Sequence, residues 1–414
     1  MNTLLKVSAL TVSSLLLAAC GSSSDSDSHS DDVHAEHAHS LLISQANSDA
    51  LSVLEEGQAE SLTDTAAANG AQLLLADSGE AAAVITSGSV QFVFVHEEHD
   101  EEEAEHDESE AHDEEEELPE LSALQIDGAN PKVVNSNGHF SVLLNGTTQF
   151  VPYAVLENAA PEAEAVAYAV TETYPALLLH EDETHGLLTL VFDGTNAVVY
   201  EGDEATASTT PCATVNSTAH VGEFAVVSCT NGENSTTFSV KAEENTTTGE
   251  HEAEITTIAG IATAVEWQSR AGVFVGLGAD NKFYVLEENA NEALEVEGTA
   301  FAKPDGLCQW GIDTLEADIF ALTATALRVY NHEGEQVVSL TLDETTNATC
   351  DDVTMAAASQ AVFVLDNSAQ KLYEIDKEDG ATLYHIHGRE DLSVNDVKAA
   401  VNFHEIGSQA THDH

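Results

Sequence analysis

Histidines are the residues whose spacing could do chemistry in this chain. Nineteen are present, and most stand in clusters. His29, His34, His37 and His39 crowd a Ser/Asp-rich stretch near the N-terminus. His96, His99, His106 and His112 punctuate a run of acids, and His404, His412 and His414 mark the C-terminal tail. Imidazole is neutral near pH 7 and is a favoured zinc ligand, while neighbouring carboxylates add oxygen ligands and draw in the cation. The pattern reads as metal capture, with His34, His37, His39, His96, His99, His106 and His112 as candidate ligands. Zinc is the metal expected, although affinity alone does not exclude copper or nickel. Calcium would use the carboxylates without needing the imidazoles. The competing reading is a merely solvating acidic loop. Against it stands the placing of all three clusters in segments too polar to help build a core. The single residues His139, His251 and His332 read as surface histidines. His385 and His387 share one face of a strand, a weaker site pattern.

The run at 96–117 holds four His and fifteen acids, leaving only Ala104, Ser109 and Ala111, so it reads as a solvated insertion and cannot be a core element. Across the whole chain of 414 residues, 74 Asp and Glu face 11 Lys and Arg, a formal charge of −63. That balance argues against nucleic-acid binding, which begins with a basic face. Hydrophobic residues still make up 43%, enough to build a core.

The N-terminus carries its own address. Lys6 supplies a positive start, Val7 to Leu17 form an apolar stretch, and Leu17-Ala18-Ala19-Cys20 follows with Gly21 behind it. This resembles a bacterial lipoprotein signal, with residues 1–19 removed, Cys20 lipidated and 20–40 a flexible tether. The expected place is the outer membrane, facing the periplasm. Assigning Cys20 to lipid leaves four cysteines, an even number suited to an oxidising compartment. Three pairings are possible. Cys212 with Cys229 and Cys308 with Cys350 is the one expected, and no C-x-x-C spacing supports a thiolate metal site.

Something must position these groups, and the rest of the chain is β-rich. Paired apolar runs around turn signals recur from Leu41, Ala83, Phe140, Leu187, Phe224, Val273, Ile319 and Val362, making eight units. Successive steps of 46 and 43 residues at the last three fit a four-stranded propeller blade. The expected fold is an all-β propeller over 41–405 with seven or eight blades, eight favoured, followed by a tail at 406–414. Trp267 and Trp310 read as core residues between blades.

The order of these features resembles one family. An acidic His insertion follows an early unit, then come PKVVNSNGHFSVLLNGTTQFVPYAV, HEDETHGLLTLVFDGT and PCATVNSTAHVGEFAVVSCTNG. The succession is similar to the AztD zinc metallochaperones, periplasmic propellers that hand zinc to the solute-binding protein of an ABC transporter. The resemblance implies that Cys212 and Cys229 match the family's disulfide, and that His185-Gly186 matches its His-His-Gly with Thr184 in place of the first His. His220 and Glu223 match its His-Gly-Glu, with Gly222 displaced by Val221. The function it implies is non-enzymatic capture and delivery of Zn(II), with His185, His220 and Glu223 as a structured holding site. Its partner would be a zinc transporter's solute-binding protein, and the membrane would be touched through lipid alone. A metal-dependent propeller hydrolase or lactonase and a metal-free surface scaffold are the alternatives. No H-E-x-x-H or G-x-S-x-G supports the first of these.

Overall fold

The computed structural model describes residues 41–55, 58–62, 69–95, 119–182, 186–244, 251–270, 272–289, 293–313, 317–342, 348–357, 361–377 and 384–403. The expected tether, the insertion at 96–117 and the tail fall outside them, as does Cys20.

Eight antiparallel sheets of four strands form the ring, the sixth with an extra two-residue strand. Blade 1 takes Leu41–Gln45, Ser52–Glu55 and Gln58–Ser61 from the start of the ring and Val397–Asn402 from its end. Blades 2 to 8 follow in chain order, their first strands being Gln72–Leu75, Lys132–Ser136, Tyr174–Asp182, Thr214–Val221, Val265–Arg270, Leu307–Ile312 and Val353–Ala357. In blade 1 the first position belongs to Val397–Asn402, and Leu41 pairs with Asn402. This joint closes the ring and leaves no open edge there. Blade number is therefore eight. Each of the eight repeated units is the middle hairpin of a blade, the pair of strands most covered on both sides.

That cover explains the sequence pattern. Alternate residues of a strand point to opposite faces, and here each face meets another blade. In Phe224–Asn231, Ala225 and Val227 join the apolar cluster shared with blade 4, while Phe224 and Val226 join the one shared with blade 6. The run is consequently apolar without alternation. Eight such clusters fill the eight seams. Trp267 packs in the seam of blades 5 and 6 and Trp310 against that of blades 6 and 7. Gly276, opposite Trp267, is required there, because a Cβ would stand 2.5 Å from the indole.

Both expected disulfides are present. Cys212–Cys229 ties the entry of blade 5 to its second strand, with Cα atoms 5.3 Å apart and both residues buried. Cys308–Cys350 ties the first strand of blade 7 to the lead-in of blade 8, with Cα atoms 5.0 Å apart. Among the described residues, no helix is long and apolar enough to cross a membrane.

Candidate metal-handling face

Sequential strands in every blade put all hairpins between strands 1 and 2, and all connections between strands 3 and 4, on the same face of the ring. On that face stand the hairpins Ser136–His139, Asp182–Gly186, Val221–Phe224 and Arg270–Val273. The break at 96–118 joins strands 3 and 4 of blade 2, where Phe94 pairs with Glu120, so the acidic His insertion is rooted on this face. Leu41 and Asn402, the residues next to the N-terminal and C-terminal His-rich stretches, pair at the same end. The described residues that flank the three His-rich segments therefore lie at one end of the ring.

Two hairpins on this face bring donors together. His139 Nδ1 lies 2.8 Å from the Asn137 carbonyl. A carbonyl only accepts, so Nδ1 is the donor in this contact, which leaves Nε2 as the ring nitrogen turned away from it. That nitrogen faces Glu181 Oε2 of blade 4 at 3.7 Å. Two ligands of a tetrahedral zinc stand about 3.3 Å apart, so a cation fits between these atoms with little movement. The carbonyl that fixes the ring is the outer-sphere partner that metal-binding imidazoles ordinarily have. His139 is 13% exposed in its side chain, so it is a seam residue and not the surface histidine expected. Asn137 is itself held, its amide donating to the Leu179 carbonyl.

The residues expected to hold zinc firmly belong to the neighbouring hairpins of blades 4 and 5. His185 lies outside the described residues, between Asp182 and Gly186, which pair with each other one step beyond Glu181. His220 is the penultimate residue of the first strand of blade 5 and is buried at 6% exposure. Its cross-strand partner Ala225 and, beyond that, Val240 belong to the apolar seam with blade 4. Its Nε2 has no hydrogen-bond partner, and burial pushes the imidazole down to about 4. Glu223 occupies the exposed hairpin tip and meets Lys241 at 3.9 Å. His220 and Glu223 make no three-ligand group with other described residues. His34, His37, His39, His96, His99, His106 and His112 all lie outside the described residues.

The mouth of the channel carries a strut. Arg270 Nη1 donates to Asp77 Oδ1 at 3.0 Å, and these residues come from blades 6 and 2, opposite members of the ring. Asn135 of blade 3 also donates to Asp77 at 3.1 Å. Burial pushes the Asp77 carboxyl up, against the opposing pull of the Arg270 guanidinium.

Sequence reasoning missed a second grouping. Glu287, Glu297 and His332 offer donor atoms that all lie within 4.8 Å of one another. Glu287 stands near the end of the third strand of blade 6, Glu297 just past its fourth, and His332 in the turn between strands 3 and 4 of blade 7. Burial first, then the hydrogen bond and charge of Glu287, push the Glu297 carboxyl up. His385, by contrast, meets Asp376 at 3.7 Å, and the ladder skips His387, so the alternation expected for that pair is broken.

No family model matches the chain, and no curated protein matches it in sequence. Its fold is similar to that of solved structures. A crystal structure of AztD from Citrobacter koseri superposes with a TM-score of 0.65 at 14% identity, over 88% of this chain and 97% of that one. Apo AztD from Citrobacter koseri gives the same TM-score and identity, over 88% and 98%. A putative 6-phosphogluconolactonase from Bacteroides fragilis gives a TM-score of 0.48 at 10% identity, over 90% and 99%. The likeness at this identity is one of fold.

Proposed function

We propose that this protein is a non-enzymatic zinc metallochaperone that captures Zn(II) on its His-rich segments and passes it to a transporter's solute-binding protein. The observation that carries the reading is that the described residues flanking all three His-rich segments lie at the end of the ring where His139 and Glu181 present an imidazole nitrogen and a carboxylate. The AztD-like ring and the resemblance of the sequence to AztD zinc metallochaperones support it. Transfer needs ligands that release metal, and His with carboxylate on a long segment exchanges more readily than an enclosed four-Cys site. His139 and Glu181, fixed by strands, join His185, His220 and Glu223 as the holding set, since pre-organised ligands lose less entropy on coordination. In this reading Cys20 is lipidated and the propeller hangs in the periplasm from the outer membrane, within reach of its partner.

Zinc binding by the full chain, followed by transfer to candidate solute-binding proteins, tests the proposal. Deleting 96–117 is expected to lower zinc stoichiometry and leave the β fold intact. Replacing His185, His220 and Glu223 by Ala removes the tightest site, while replacing His34, His37 and His39 slows transfer. A chain that binds no zinc in equilibrium dialysis would be a scaffold, and one that hydrolyses lactones or esters in a screen would be an enzyme.

A further inference from the structure

We propose a second divalent-cation site on the rim of the ring, made by Glu287, Glu297 and His332 across the seam of blades 6 and 7. It does not depend on the function proposed above, because none of its residues belongs to the resemblance or to the mouth.

The first support is the donor set. Two carboxylates and one imidazole suit zinc and its borderline neighbours, whereas calcium and magnesium would leave the imidazole unused. The donor atoms lie within 4.8 Å of one another, against about 3.3 Å for neighbouring ligands of a tetrahedral zinc. Closing that gap takes about 1.5 Å of side-chain movement, which long glutamates supply by rotation without moving the strands.

The second support is an atom with nothing to bind. Glu297 Oε2 is shut away from solvent and has no hydrogen-bond partner. A buried carboxylate oxygen left bare costs free energy, and a cation among these three donors is what would satisfy it. Residue identity also fits. Both acids sit on one strand pair, where Glu287 is opposite Glu295 and Glu297 follows two residues later. Two carboxylates this close repel when both are charged, and a cation between them removes that repulsion as a proton otherwise would.

The third ligand is held ready by its turn. Asn331 accepts from Glu335 N through its side chain at 2.8 Å, and Gly334 N donates to the Asn331 carbonyl at 2.9 Å. Gly334, at φ 81°, packs so close to Phe301 that a Cβ would stand 2.4 Å from the ring. Phe301 is in turn stacked between Phe283 and Tyr330. His332 is thus exposed on a fixed backbone and reaches across to blade 6. Three protein ligands leave a fourth position open, the feature of a site that exchanges its metal with another molecule.

Zinc chloride itself is the probe, with the full chain stripped by a chelator beforehand. Dialysis at a fixed ratio of zinc to competing chelator is expected to show one zinc fewer per chain in His332→Ala than in the unaltered protein. Glu297→Gln should weaken the same site by roughly 100-fold, as loss of a ligand costs at least what loss of an outer-sphere partner does. His332 is exposed, so its replacement leaves folding intact, and a thermal melt checks this. A zinc-edge anomalous peak among the three side chains in crystals grown with zinc would support the site directly. Unchanged stoichiometry in His332→Ala, or no peak at the seam, overturns the proposal. Loss of zinc in His139→Ala and not in His332→Ala also overturns it while leaving the proposed function standing.

Discussion

Two seams of the same ring each bury a titratable side-chain atom without a partner, and they do opposite things with it. Between blades 4 and 5, His220 Nε2 sits on the ladder face of Ala225 and Val240, whose apolar cluster fills this seam, and burial there keeps the imidazole neutral. Between blades 6 and 7, Glu297 Oε2 sits at the rim beside a second carboxyl and within reach of an exposed imidazole. The neighbours decide the difference. A donor in an apolar seam keeps a neutral lone pair, while a donor beside a second carboxyl must be neutralised by a proton or a cation.

The largest expected effect breaks the blade 4–5 seam by removing its covalent tie. Cys212 and Cys229 are fully buried and close a 17-residue loop. Such a loop is worth about 3 kcal/mol by chain entropy, and emptying the buried sulfur positions adds about 1 kcal/mol. Cys212→Ala with Cys229→Ala should therefore lose about 4 kcal/mol in a denaturant titration. Among the described residues the blade 6–7 seam has no such tie, so amide exchange after this replacement should rise around blades 4 and 5 and stay unchanged around Phe283 and Tyr330.

The next effect uses pH. With a folded pKa near 4 against an ordinary 6.5, the unfolded chain binds a proton at His220 that the folded chain refuses. The stabilisation is complete above pH 6.5 and is lost as pH falls through 6.5 towards 4, to a limit of about 3 kcal/mol. In metal-free protein, His220→Leu should flatten the fall in melting temperature over that window. An unflattened profile would mean that the imidazole is not held neutral by the seam.

Smaller again is the strut across the mouth. Arg270 and Asp77 retain 22% and 30% side-chain exposure, so their attraction is partly screened, and Arg270→Met should cost about 2 kcal/mol, below the loss for a fully buried pair. Adding Asp77→Asn should return part of that loss, because the stranded carboxylate goes with it. Additive losses would show that the two side chains are not coupled.

The parts of this molecule legible in its sequence are those written in local pattern. Eight middle hairpins announced eight blades because strands covered on both faces must be apolar along their length, and cysteine parity pointed to the two bridges. What stayed hidden depends on partners far apart in the chain. Nothing near Leu41 says that Asn402 will pair with it, nor does Asp77 signal an arginine 193 residues away. His139 looked like an isolated surface histidine because its meaning comes from the Asn137 carbonyl on one side and Glu181 on the other. Glu287, Glu297 and His332 are each unremarkable in sequence, and only the docking of blade 7 against blade 6 assembles them.

The smallest structural effect is expected at Glu223, and it sharpens the contrast between holding a fold and holding a metal. Its carboxylate is 70% exposed at a hairpin tip, with Lys241 at 3.9 Å, an ion pair too open and too long to contribute more than about 0.5 kcal/mol. Glu223→Gln keeps the shape and removes the charge, so the melting temperature should not move. Zinc affinity should nevertheless fall by about tenfold, because a neutral amide is a poorer ligand than a carboxylate. His220→Leu would alter both readouts, since its side chain fills the seam as well as offering a lone pair. If Glu223→Gln leaves zinc affinity where it was, Glu223 drops out of the holding set, and the fixed pair His139 and Glu181 must carry that face with His185 and His220.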